Sequence, residues 1–95
     1  MVKTRKFDIA ELLETEADIQ AFLNEAAEAG DPADFVHALG IAARAKGMTE
    51  VARQSGVTRA SLYKSLADGG NPQFDTIFRV CQALGVKLTA QATHA

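Results

Sequence analysis

The sequence predicts an all-α chain: a helix-turn-helix preceded by short N-terminal helices and closed by one short C-terminal β-strand. Three observations predict it. Apolar residues recur at three- and four-residue spacing in each segment from Ile9 to Leu84. Between Met48 and Leu66, a small residue, a glycine and two leucines fall where two short helices would cross at a sharp corner. After Gly85, Val86, Leu88, Ala90 and Ala92 alternate with Lys87, Thr89, Gln91 and Thr93, the period-2 pattern of a strand.

The corner organises the rest. Val51 and Ala52 supply the buried face of its first helix, and Ala52 is small enough for the second helix to cross it closely. Gly56 takes the positive φ that ends a helix and opens a tight turn, and Val57 plugs the corner. Thr58 is the expected N-cap of the second helix, which buries Leu62 and Leu66 at i, i+4. Arg59, Ala60, Tyr63 and Lys64 are left on the outward face, where a recognition helix meets base edges and phosphates.

The flanking elements follow in order. Asp8 caps a short helix ending near Glu14, with Glu11 as capping-box partner and Phe7 and Leu12 as a hydrophobic staple. Thr15-Glu16-Ala17-Asp18 repeats the device, and Ile19, Phe22, Leu23 and Ala26 then form one apolar stripe before Gly30. Asp31-Pro32-Ala33-Asp34 opens a third helix with Pro at its first position and acids at the positive end of its dipole. Phe35, Ala38, Leu39 and Ala42 are its buried stripe, Arg44 and Lys46 its last turn, and Gly47 its end. Asp68-Gly69-Gly70-Asn71-Pro72 is loop. Phe74, Ile77, Phe78, Cys81 and Leu84 stripe a last helix that stops at Gly85.

Ninety-five residues make one domain with one modest core. No apolar run approaches the ~18–20 residues of a membrane span, and the basic start is followed by Asp8 where a signal peptide would have its apolar core. A single cysteine, Cys81, can form no internal disulfide, so the expected compartment is the cytoplasm. The formal net charge of −2 hides a division. Residues 1–34 carry three bases against nine acids, a balance of −6; residues 35–95 carry seven bases against three acids, a balance of +4. Such asymmetry points to two partners of different chemistry, the alternative being acids that only solvate helix faces.

Gly47-Met48-Thr49, Val51-Ala52, Gly56, Arg59, Leu62-Tyr63-Lys64 and Leu66, then Gly70-Asn71-Pro72, Phe74, Thr76 and Ala83-Leu84-Gly85, resemble the addiction-module antidote (HigA-like) branch of the Xre-type helix-turn-helix proteins. The resemblance covers about residues 40–88; the N-terminal third matches by pattern more than by identity. It departs at Met48, where many relatives have a Gln that anchors a phosphate. Thr49 or the helix N-terminus stands in for it here. The resemblance implies a five-helix Xre/lambda-repressor-like fold, a homodimeric operator binder, and a small basic RelE/HigB-like toxin as partner. On that basis residues 1–30 are an acidic toxin-binding segment, and residues 31–95 a DNA-binding domain ending in a dimerisation strand.

The DNA-binding candidates are Thr49, Thr58, Arg59, Ala60, Ser61, Tyr63, Lys64 and Asn71. Arg59 is the base reader, because a guanidinium can bind guanine O6 and N7 together, and a cation at a helix N-terminus opposes the dipole and gains nothing there structurally. Lys64 is a phosphate contact; Tyr63 either donates to phosphate or covers the edge of the core. The toxin-binding candidates are Glu11, Leu12, Glu14, Glu16, Phe22 and Glu25, with Leu13, Asp18 and Glu28 beside them. Val86, Leu88 and Ala90 are the dimerisation candidates, since a lone strand leaves backbone groups open to a second copy. Lys3, Arg5 and Lys6 form either an arm on DNA or a solvated terminus.

No catalytic set, cofactor motif or metal site is legible. His37 and His94 stand far apart with no ligand spacing, Cys81 lies in an apolar stripe, and Gly69-Gly70 lacks the context of a phosphate loop. The leading expectation is an antitoxin that neutralises a toxin and represses its own operon; the alternative is a stand-alone, phage-type repressor. An enzyme is the third class, disfavoured for want of a nucleophile with its base.

Overall fold

Asp8, the first residue of the described part of the chain, caps its first turn. The computed structural model describes residues 8–93. The expected Phe7 staple, the Lys3, Arg5 and Lys6 cluster and His94 lie outside them. Asp8 Oδ1 accepts from the Ala10 N–H at 3.1 Å and starts a single 3-10 turn, Ile9–Leu12. Leu13 half-buries against the core and breaks the turn off. Helix α1, Glu16–Ala29, opens on a complete capping box: Thr15 Oγ1 accepts from the Asp18 N–H, and Asp18 Oδ2 from the Thr15 N–H, each at 3.1 Å. Such a cap is worth about 1 kcal/mol.

Helix α2, Pro32–Lys46, is capped by Asp31, and every other helix packs against it. It is the most deeply buried element, with Ala38, Leu39, Ile41, Ala42 and Ala43 shielded from solvent. Helix α3, Met48–Ser55, and helix α4, Arg59–Leu66, form the corner. Gly56 sits at φ 76 between them. Val57 half-buries, and Thr58 Oγ1 accepts from the Ser61 N–H at 3.1 Å. Ser55, a buried polar residue, returns its hydroxyl to the Val51 carbonyl at 2.7 Å, so no buried side-chain polar atom of the corner is left unsatisfied. Helix α5, Phe74–Ala83, closes the bundle over α3. Leu23, Leu39, Val51, Leu62, Val80, Cys81 and Leu84 join in one core with Ile19, so α1 through α5 all contribute to it.

Two expectations are corrected. There is no strand among the described residues: Val86 to Ala92 pair with nothing, because a ladder needs a second strand and the rest of the described chain is helix and loop. Val86 and Leu88 half-bury against the helical core instead, while Ala90 is exposed; the alternation marks which residues lie down on the bundle. The expected stripe of α5 holds at Ile77, Cys81 and Leu84 and fails at Phe74 and Phe78. Val80, Cys81, Ala83 and Leu84 are buried, and Ile77 half-buried, whereas Phe74 is 69% exposed and Phe78 is exposed beside it, the rings 6.1 Å apart. The apolar arc of α5 is wider than the core it meets, and Val80 enters that core while Phe74 and Phe78 at the other edge stay outside.

The α4–α5 loop is held from within. A Cβ on Gly70 would meet the carbonyl oxygens of Ser65, Ala67 and Lys64 at 2.6, 2.8 and 2.9 Å, so α4's last carbonyls fold around a residue with no side chain. Gly70→Ala is expected to destabilise the protein by about 1–3 kcal/mol in urea unfolding, since backbone must move to admit one methyl. Burial also pushes the Cys81 thiol up to about 11. The unfolded chain therefore ionises first as pH rises. The stability this group contributes is complete below the ordinary thiol range, ~8.5, and declines as pH climbs towards 11. Iodoacetamide at pH 8 is expected to modify Cys81 only as fast as the protein opens, and rapidly in urea, by mass spectrometry.

Candidate nucleic-acid interface

The outward face of α4 begins at the cap. Thr58 is fully engaged there: its hydroxyl accepts from the Ser61 N–H and donates to Ser61 Oγ at 2.9 Å. This orders the first turn and leaves Arg59, Ala60, Tyr63 and Lys64 exposed around it, while Leu62 and Leu66 hold the opposite face in the core. Arg59 lies along the helix. Its Nη2 donates to the Tyr63 hydroxyl at 3.3 Å, and its guanidinium carbon stands 5.4 Å from the Tyr63 ring centre. An exposed stack of this kind is worth about 0.5–1 kcal/mol, enough to order a side chain and too little to hold it from a better partner.

Charge pairing separates this helix from its neighbours. Arg44 meets Asp8 at 3.2 Å, Lys46 meets Glu16 at 3.5 Å, and Arg79 meets Asp75 at 3.3 Å. Arg53 grips Glu50 on α3, and its guanidinium holds the Glu50 carboxyl below the usual carboxylate range. Arg59 and Lys64 have no carboxylate partner among the described residues; neither has Lys87 in the tail. α4 carries no acid at all.

Met48, where the resemblance departs, is only 7% exposed and belongs to the core, so it cannot reach a phosphate; Thr49 beside it is exposed. Asn71 is exposed on the α4–α5 loop. A cleft of about 260 Å³ opens beside α4, lined by His37 and Arg44 of α2, Met48 of α3, and Tyr63 and Asp68, with His37 Nδ1 lying 3.2 Å from Asp68. Arg44 was read from sequence only as the last turn of α2. Its place in the same cleft as Tyr63 depends on how α2 and α4 pack, which no spacing along the chain encodes.

The acidic candidates spread over a different surface. Leu12 is 58% exposed on the 3-10 turn, with Glu11, Glu14, Glu16 and Glu25 exposed along the same stretch; Glu16 also meets Lys46. Phe22 and Leu13 half-bury against the core, and Asp18 is spent on the cap. Ile9, exposed one 3-10 turn before Leu12, is an apolar residue the sequence reading passed over; the i, i+3 spacing that aligns it with Leu12 was the available signal. Among the described residues no group of three or more His, Cys, Asp or Glu could hold a metal ion.

Comparison with known proteins places the chain. An uncharacterised protein of Haemophilus influenzae is 40% identical over 90 residues, spanning 95% of this chain and 93% of the relative. No solved structure matches. A family described as "Probable addiction module antidote protein" matches residues 3–92, nearly the whole length. An antidote implies a toxin of some kind as its partner, and this chain belongs to the family of probable addiction module antidote proteins.

Proposed function

We propose that this chain is a HigA-like antitoxin with two activities. It neutralises a small basic RelE/HigB-like toxin by direct binding, and it represses its own operon as a homodimer on DNA, in the cytoplasm. Family membership supports the antidote half. The observation that carries the DNA half is the pairing of charge: the cations elsewhere on the helices are matched by carboxylates, and those left without one among the described residues include both cations of α4. That arrangement suits a helix in the major groove, because a cation with no carboxylate partner meets a phosphate without first breaking an ion pair. Two copies would set two α4 helices on half-sites about 34 Å apart. The exposed Phe74 and Phe78 offer apolar surface for that contact.

For the toxin, the acidic stretch from Glu11 to Glu28 supplies steering charge, and Leu12 with Ile9 supplies the apolar anchor. Phe22 would contribute only its exposed edge, since the rest of it lies on the core. Residues 1–30 are therefore the proposed toxin-facing segment, though Ile19 and Leu23 within them also hold the core, so substitution tests this reading better than truncation.

Two outcomes are expected. Arg59→Ala should weaken binding to the DNA upstream of its own coding region by about 1–3 kcal/mol and relax sequence preference, whereas Lys64→Ala should weaken all sequences alike and lower the salt slope by about one. If Arg59→Ala binds as well as the parent, α4 is not the reading helix. Leu12→Asp should abolish protection when the small reading frame beside the gene is co-expressed and growth is scored, with the melting temperature unchanged. Full protection by Leu12→Asp would move the toxin to another surface.

A further inference from the structure

We propose that Arg44 is a further contact to the DNA backbone, held in reserve by Asp8, so that the 3-10 turn and DNA compete for one guanidinium. The inference rests on the reading of α4 as the DNA-binding helix and extends that surface to α2. Arg44 lines the cleft that Met48, the first residue of α3, and Tyr63 of α4 also line. When α4 lies in the major groove, the sugar–phosphate backbone runs along the flanks of the groove, where this cleft opens beside Tyr63. Arg44 is the arginine among the residues lining the cleft; the carboxylate among them, Asp68, is met by His37 at 3.2 Å.

The present partner of Arg44 is replaceable. Its Nη2 donates to Asp8 Oδ1 at 3.2 Å, one bond between side chains 47% and 43% exposed. The same oxygen also accepts from the Ala10 N–H at 3.1 Å, so Asp8 is shared between capping the turn and holding the arginine. A phosphate offers the guanidinium two parallel bonds and a full charge, the stronger arrangement. DNA binding at this cleft therefore draws Arg44 away from Asp8, and the Asp8 carboxylate opposes it.

Four full-length proteins test this: the parent, Asp8→Asn, Arg44→Gln and the double variant. Affinity for a mixed-sequence DNA duplex is measured over a range of salt, with thermal melts to check folding. Asparagine keeps the oxygen that caps Ala10 and removes only the charge. Arg44→Gln is expected to weaken binding and lower the salt slope by about one. Asp8→Asn is expected to tighten binding about two- to fivefold, the scale of one exposed ion pair. In the Arg44→Gln background Asp8→Asn should change nothing. An Asp8→Asn effect of the same size with and without Arg44 would overturn the proposal, since Asp8 would then act by bulk charge. Arg44→Gln binding as the parent does, while Arg59→Ala and Lys64→Ala weaken, would overturn it and leave the α4 reading intact. No effect of any of these substitutions would sink the α4 reading and this inference together.

Discussion

Helices α3 and α4 are eight residues each, and helices shorter than about 12–15 residues are marginal in water by their own hydrogen bonds. Everything about the exposed face of α4 depends on that constraint. The two helices exist because Val51, Ala52, Leu62 and Leu66 leave water against α2 and α5, and because Gly56 and Thr58 set the angle between them. The outward side chains make little contribution to holding α4 in place. Arg59, Ala60 and Lys64 are carried outward on an element stabilised from its other side. Such a division lets the exposed face change without endangering the fold.

The acidic end of the chain is tied into the same structure in two ways. Ile19 and Leu23 of α1 enter the common core, and polar side chains reach across to the end of α5. Lys46 Nζ donates to the Ala83 carbonyl at 2.6 Å while meeting Glu16, and Gln20 donates to the Gly85 carbonyl at 3.2 Å. These bonds satisfy carbonyls that the last turn of α5 leaves open. One side of α1 thus supports the bundle, and the opposite side, with Gln20's neighbours Asn24 and Glu28, faces solvent. The division of charge read along the sequence is partly compensated in space, since Arg44 and Lys46 lend their charge to Asp8 and Glu16.

What the sequence by itself determined were the features whose cause is local. Capping at Asp8, Thr15, Asp31 and Thr58, the corner at Gly56, and the burial of Leu62 and Leu66 each depend on residues within a few positions of one another. Only the tertiary structure decided the rest. An apolar alternation names the residues that want cover but not what covers them, so Val86 and Leu88 lie on helices and form no strand. A helix with a wide apolar arc does not say which edge of it turns inward; packing on α3 took Val80 and left Phe74 in solvent. Likewise the pairing of Arg44 with Asp8, and the cleft that Arg44 and Tyr63 both line, join residues distant in sequence, and they follow from how α2 packs on the 3-10 turn and α4. Periodicity reports what a side chain needs, and only the packing of the whole chain selects which neighbour supplies it.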